Sequence, residues 1–446
     1  MHDAHGLAIS TSSAATGAAL DRVLLAYLTY RADTPVHLNA LLAAEPDFGL
    51  AHCLKGYLAL LSYKQANVPA AVDAANTARR LTAHATPREQ AHVAALDAWI
   101  GGDLDRALSV WDDILADHPR DVLAFRLAHF NNFWLGRPAE MRASVERVKP
   151  HWSGDLPGYG TILSCHCFAH EECGDYATAE PSGRAAIEID PGDIWGTHAV
   201  AHIMEMQGRH AAGIAWLDEL ERHWQGGNNL LHHLWWHRAL FHLERREFDA
   251  VLDLYDRRFR NLASPLTQAQ PDLYIDVQNA ASMLLRLELL GLDVGDRWSE
   301  IADKGEARIG DCLSAFTLPH WMMALAASGR DAAAVRMLAA MEDFGGGDGT
   351  VNAIVAGGAL PVCRAVLAHR RGEHGRALDL MRPVLPEMHR LGGSHAQQDV
   401  LMQLFLDAAI RSDRADDVRL ILARAARHDS AIATRAGYAK AAQFVH

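Results

Sequence analysis

The chain has 446 residues, of which 50% are hydrophobic, 22% charged and 7% aromatic, and its formal net charge is −13. That composition supports a large folded core, and the acidic balance, with no basic stripe, excludes the electrostatic footprint of a nucleic-acid binder. The basic pairs Arg245-Arg246 and Arg257-Arg258 both have acidic neighbours. Six cysteines in a chain of this length do not make a disulfide scaffold. All six are expected to be reduced thiols, which points to a cytoplasmic protein. Met1-His2-Asp3-Ala4-His5 has neither the basic nor the apolar region of a signal peptide. No window approaches 18 consecutive apolar residues, so no membrane partner is expected.

Alanine and leucine dominate and β-branched runs are scarce, so the predicted elements are long helices. Residues 1–19 read as an N-terminal tail. From about Leu20 a polar turn recurs: Gly102-Asp103-Leu104, Gly136-Arg137-Pro138, Gly174-Asp175-Tyr176, Gly208-Arg209-His210, Arg246-Glu247-Phe248, Gly329-Arg330-Asp331 and Gly372-Glu373-His374. The first four are 34, 38 and 34 residues apart, and 34 residues is the period of the tetratricopeptide helix–turn–helix unit. The clearest unit spans Gly158–Gly192, where Tyr176, Ala179 and Ala186 mark the second helix and Asp190-Pro191 ends it. The fold class predicted is all-α, a tetratricopeptide-like α-solenoid that can wind into a closed superhelix. Residues 20–262 would carry the repeats with the His/Trp-rich groove, and 272–446 the C-terminal helical repeats. Between them, Ala263-Ser264-Pro265 to Gln270-Pro271 is a break that can bend the solenoid. Gly345–Gly349 is glycine-rich but lacks the Gly-Lys-Ser/Thr ending of a phosphate loop, and reads as a flexible loop.

The segments Glu171–Tyr176, His198–Arg209, Trp235–Phe241, Val251–Asp256, Leu292–Trp298 and His395–Val400 together resemble the tetratricopeptide repeat protein 38 family. The resemblance spans most of the chain and is weakest before Arg120. It implies an all-helical repeat fold and supplies no activity.

The 26 histidines are concentrated, with 11 between His151 and His242. In a tetratricopeptide unit the residues ten, six and three before the turn glycine face the concave groove. Counting back from Gly208 places His198, His202 and Glu205 there, with Trp195 one turn earlier; their i, i+4, i+7 spacing makes one stripe. Counting back from Arg246 places Trp236 on the next groove helix, flanked by His233 and His237. Neighbouring helices pack about 8–10 Å apart, so the two histidine pairs can face one cavity. Asn228 and Asn229 precede that helix and can cap it or add amides to the site. Glu171 is the groove residue of the preceding unit. His129, His166 and His170 fall on packing positions and read as satisfied core histidines. Cys165 and Cys167, beside His166, read as buried structural thiols.

His198, His202, Glu205 and His237 are the candidates for acid/base or hydrolytic chemistry, with Trp195, Glu171, His233, Trp236, Asn229 and His320 as substrate-binding walls. A divalent metal is not favoured as a cofactor. Residues i and i+7 lie about 10.5 Å apart along a helix, so His198, His202 and Glu205 cannot share one ion, and a further ligand would have to come from His233, His237, His320, His395 or Asp399. The main expectation is a small-molecule pocket. The alternative is a scaffold that grips a protein or peptide along an open concave groove, as helical repeats do.

Overall fold

The computed structural model describes residues 1–427 and 431–445, so the last residue of the predicted C-terminal repeat segment and its stretch 428–430 lie outside the described residues. Among the described residues there are 25 α-helices and no strand. Twenty-two of the helices form eleven consecutive pairs; Pro265–Ala269, Thr350–Ile354 and Ala439–Phe444 are short extras. The inner helix of each pair starts at residue 14, 49, 87, 122, 159, 194, 230, 274, 317, 360 or 395. Through the seventh pair's predecessor the spacing is close to the predicted repeat, and it lengthens where short helices and loops are inserted. The fold is thus the all-α helical-repeat solenoid that the turn spacing predicts.

Each pair is joined by a turn in the left-handed backbone region, with φ +77° at Gly174 and +68° at Gly208. Arg246 makes the same turn at φ +60°, at a cost of about 1–2 kcal/mol that glycine would not incur. Packing between pairs relies on small residues. A Cβ on Gly183 would lie 2.6 Å from both Cys167 Sγ and a Val200 methyl, so the outer helix can approach the inner ones only with glycine there. Cys165 and Cys167 are fully buried in this layer, and burial pushes both thiols up.

The superhelix is wound so tightly that successive turns touch. Asn228 N donates to the Tyr30 carbonyl (2.8 Å), and Arg31 Nη1 to the Gln225 carbonyl (2.6 Å). Lys64 Nζ pairs with Asp272 (2.8 Å), and Arg308 Nη2 donates to the Tyr63 carbonyl (3.0 Å). Thr350 N donates to the Gly102 carbonyl (2.9 Å). The Gly345–Gly349 run is therefore not a free loop; it is a strut between turns, and Gly349 fits under Gly102 because it has no side chain. The His395–Arg411 helix lies inside the coil, where Arg286 Nη2 donates to the Ala396 carbonyl (2.8 Å). Across the Ala263–Pro271 break, Arg260 bonds both the Pro271 carbonyl (3.1 Å) and Glu300 (2.6 Å).

One segment departs from the expectation about apolar runs. Thr350–Arg370 is a 21-residue helical stretch of mean hydropathy 1.7, long and apolar enough by itself to cross a membrane. Its Val362, Cys363, Ala365 and Val366 are packed in the protein core, and it takes the place of an inner helix.

Polar groups also tie the N-terminal repeats. Asp121 caps the Val122–Trp134 helix by accepting from Ala124 N (2.9 Å), while its other oxygen receives Arg88 (2.5 Å) and His92 (3.0 Å). All three side chains are buried. Burial alone would raise the Asp121 pKa, but His92 and Arg88 outweigh it and hold the carboxyl far below its usual range. Asp121→Asn leaves Arg88 buried without its counter-charge and is expected to cost about 3–5 kcal/mol in urea unfolding near pH 7. A depressed pKa stabilises fully above the unfolded value of about 3.9, so the gap from wild type should persist at pH 5 and shrink as pH falls below about 4.

Candidate functional site

The site begins with two neighbouring inner helices, Ile194–Met206 and Leu230–Glu244. Asp193 caps the first, its Oδ1 accepting from Trp195 N and Gly196 N (both 2.9 Å), and its Oδ2 accepting from Ser164 Oγ (2.6 Å). Gly196 lets the preceding inner helix close in, since a Cβ there would lie 2.8 Å from Ser164 Oγ. The second helix is zipped to Tyr274–Leu289 by bonds at successive turns. Asn229 Nδ2 and His232 Nδ1 both donate to Asp276 Oδ2 (2.7 and 2.9 Å), His233 Nδ1 donates to Asn279 Oδ1 (2.7 Å), and Trp236 Nε1 donates to Ser282 Oγ (3.1 Å). Asn228, rather than Asn229, caps the helix, accepting from Leu230 N (2.9 Å).

These frames bring His198, His202, His233 and His237 into one buried cluster. Ring centroids are 4.4 Å apart for His198–His202 and His202–His237, 4.7 Å for His233–His237 and 4.9 Å for His198–His233. Exposure is 2%, 0%, 2% and 0% in chain order. The Nε2 atoms of His198 and His202 are 2.9 Å apart. Burial, reinforced by the neighbouring rings, lowers the pKa of His198, His202 and His237 well below 6.5; burial lowers His233 to about 4. The rings are therefore neutral imidazoles at neutral pH. Nδ1 of His198 and His202 and both ring nitrogens of His237 have no hydrogen-bond partner, and each such buried group costs about 1–3 kcal/mol.

Glu171 lies behind the cluster, fully buried, with Oε2 3.8 Å from His202 Nδ1. Its carboxyl is raised well above the usual range by burial and by the adjacent Glu172, which burial itself pushes up to about 8. Among the described residues, His198, His202, His233 and His237 form one group able to hold a metal, and Glu171, Glu172 and His202 adjoin it as another.

On the other side, His198 and His233 open onto a cavity of about 380 Å³ walled by repeats from the first to the eleventh. Its wall is mostly aromatic and aliphatic, including Tyr30, Phe130, Trp134, Trp195 and Tyr274, with Asn228, Asn229 and Gln397 as amide groups. Trp195 is sandwiched, with Tyr30 on one stack (5.5 Å) and His198 on the other (4.7 Å). Of the two charged groups on its wall, Arg31 lies at the exposed mouth beside Asp33 and Arg126 is buried, only 2% exposed. Its guanidinium bonds Tyr30 Oη and lies 4.7 Å from the Trp195 ring and 5.2 Å from that of Tyr30. Among the described residues no carboxylate comes within ion-pair distance of it.

The other sequence candidates sit elsewhere. Glu205 shares the stripe with His198 and His202 but points a turn away, into a second chamber of about 150 Å³. There it pairs with Arg435, and burial raises its pKa to about 7. Trp236 stacks on His233 (4.9 Å) and backs the cluster without facing the 380 Å³ cavity. His320 is tied to its own helix, Nδ1 donating to the Phe316 carbonyl (2.8 Å). His170 is satisfied on both nitrogens, by Glu146 (2.7 Å) and Asp175 (3.1 Å), whereas His166 shares Glu146 (2.9 Å) through Nε2 and leaves Nδ1 without a partner. His129 is buried as expected, but neither ring nitrogen has a partner, contrary to the expectation of a satisfied core histidine. Arg126 was missed by sequence reasoning, and it did leave a signal: a single charge inside the apolar run Val122-Leu123-Ala124-Phe125-Arg126-Leu127-Ala128.

No family model matches the chain. Among solved structures it is similar to the human IFIT1 dimer with m7Gppp-AAAA, at 11% identity and a TM-score of 0.46, covering 98% of this chain and 96% of that one. It is similar to yeast Tom70 at 13% identity and a TM-score of 0.33, covering 90% of this chain and 95% of that one. A third likeness is to Naa15/Naa10 bound to HypK-THB, at 12% identity and a TM-score of 0.26, covering 96% and 66%.

Glu205 holds a C-terminal residue to the middle of the coil, so its loss should be felt as stability. Glu205→Ala leaves Arg435, with Glu244 as its remaining ion pair, short of one buried partner and is expected to lower unfolding free energy by about 2–3 kcal/mol. Chemical denaturation with tryptophan fluorescence measures this; an unchanged midpoint would mean the pair contributes nothing.

Proposed function

We propose that this protein binds a small anionic molecule with an aromatic or apolar body inside its closed helical superhelix. The observation that carries the reading is Arg126, a buried guanidinium on the wall of the 380 Å³ cavity with aromatic rings around it and no carboxylate at hand. Taking such a charge out of water costs several kcal/mol, and contact with Tyr30 and Trp195 returns about 0.5–2 kcal/mol each. A ligand carboxylate or phosphate would complete the balance with a charge-assisted bond, while the aromatic wall holds its apolar part. The cavity volume lies within the range of small-molecule pockets. The carboxamides of Asn228, Asn229 and Gln397 supply polar anchors at the rim.

The chemistry available beside such a ligand is that of neutral imidazoles, His198 and His233, which can accept or pass a proton. Glu205 lies in a separate chamber and takes no part in this proposal. The finer family assignment, to the tetratricopeptide repeat protein 38 family, and a cytoplasmic location suited to six unpaired thiols belong with this reading.

The repeat architecture supports a second reading, a scaffold for a partner protein. The inner helix His395–Arg411 and the contacts between turns fill the concave face that an extended peptide would need. What remains for a partner is a chain end, its terminal carboxylate reaching Arg126 through the mouth near Arg31 and Pro35.

A thermal-shift screen tests both, with aromatic carboxylates and aryl phosphates in one arm and short peptides with free or amidated C-termini in the other. Arg126→Met is expected to melt about 1–3 kcal/mol higher than wild type without ligand, because an unpaired buried charge has been replaced by an apolar chain. It is also expected to lose the ligand-induced shift. Stabilisation by small anions that survives in Arg126→Met would overturn the anchor, and a shift only with free-terminus peptides would move the assignment to the scaffold.

A further inference from the structure

We propose that His198, His202, His233 and His237 form a binding site for one divalent first-row transition-metal ion. This goes beyond the ligand-binding reading and does not depend on it: the organic ligand is assigned to Arg126, the ion to the histidines.

Four imidazoles with almost no exposure occupy the centre of the molecule, and four of their eight nitrogens have no partner at all. The sole bond within the cluster sets the His198 and His202 Nε2 atoms against each other at 2.9 Å. One of these must then carry a proton toward the other, while His237 receives nothing on either nitrogen. An ion that takes Nε2 of His198 and His202 and one nitrogen of His237 removes the opposed Nε2 pair and gives His237 a partner, each ring keeping its other nitrogen protonated.

The groups behind the rings are arranged for that tautomer. His233 Nδ1–H donates to Asn279 Oδ1 at 2.7 Å, which leaves the Nε2 lone pair free. His202 Nδ1 faces the Glu171 carboxyl, with Oε2 at 3.8 Å, where an outer group behind a ligating histidine would stand. Glu171 and Glu172 adjoin His202 as a second set of donor groups beside the cluster. The candidate ligand atoms of the four histidines all lie within 4.8 Å of one another. Tetrahedral coordination with bonds of about 2.0–2.1 Å requires separations of roughly 3.3 Å, which rotation of the imidazoles about their side-chain bonds can reach. The spacing i, i+4 on each of two adjacent helices supplies two ligands per helix.

The donor set also selects the ion. Four neutral nitrogens suit Zn²⁺, Co²⁺, Ni²⁺, Cu²⁺ or Fe²⁺ and do not suit Mg²⁺ or Ca²⁺, which require oxygen.

The test uses the full chain without a polyhistidine tag, stripped with chelator and then titrated with Co²⁺ and, separately, Zn²⁺. The expected result is one equivalent of cobalt per chain, with the visible absorption of a nitrogen-ligated low-coordinate ion, displaced by zinc. His202→Gln and His237→Gln, which keep polarity and approximate volume, are each expected to weaken cobalt binding by at least about tenfold, with helicity checked by circular dichroism. His166→Gln/His170→Gln, which empties the peripheral Glu146 cluster, should leave the spectrum unchanged, and so should Arg126→Met. Folded wild-type chain that takes up neither ion overturns the proposal. So does a cobalt spectrum that survives both His202→Gln and His237→Gln, or one abolished only by the His166/His170 double variant. Failure of the organic-ligand reading shows instead as a lost or Arg126-independent thermal shift with metal uptake intact.

Discussion

Contact between successive turns of the superhelix governs nearly everything else in this protein. An open solenoid can leave polar residues on its concave face wet, where water satisfies them. Here the Asn228–Tyr30 and Thr350–Gly102 backbone bonds and the Arg308 guanidinium on the Tyr63 carbonyl close one turn against the next, and the His395–Arg411 helix occupies the interior. Much of the inner face is thereby buried, and a polar side chain buried on it must find a protein partner, hold a ligand or carry a cost.

The molecule resolves this differently from place to place. Between the Leu230–Glu244 and Tyr274–Leu289 helices every polar residue of the ladder finds at least one partner, Asn229 and His232 on Asp276, His233 on Asn279 and Trp236 on Ser282. In the N-terminal repeats Asp121 satisfies Arg88, His92 and a helix end together. Pairing falls short at Arg126 and at the four central histidines. Arg126 has aromatic faces but no carboxylate, and the four central histidines have unpartnered nitrogens. Both places adjoin the same cavity, which is why binding is assigned there and not to the well-paired polar groups around it.

Much of the fold was legible in the residue order, because a helix–turn–helix repeat advertises itself locally. The turn glycines mark where the chain needs a positive φ, and even Arg246 was readable as a turn from its neighbours. The convergence of His198, His202, His233 and His237 was legible for the same reason: it depends on the periods of two helices and on adjacent repeats packing side by side. Glu205 was placed on the right face, but the face is long enough that its last turn reaches a different chamber. Arg126 showed as a charge in an apolar run, yet nothing local says that a first-repeat tyrosine and a sixth-repeat tryptophan will enclose it.

The sequence by itself determined the helices, their pairing, the turn positions and the histidine-rich stripe, since all of these arise from interactions within about forty residues. Only the tertiary structure decided how the turns stack, which side chains from repeats far apart share a wall, and that the glycine run Gly345–Gly349 is a strut. The physical reason is that small angles between neighbouring repeats accumulate along the chain. Whether the inner face remains an open groove or becomes a dry cavity depends on their sum, and no single repeat encodes that sum.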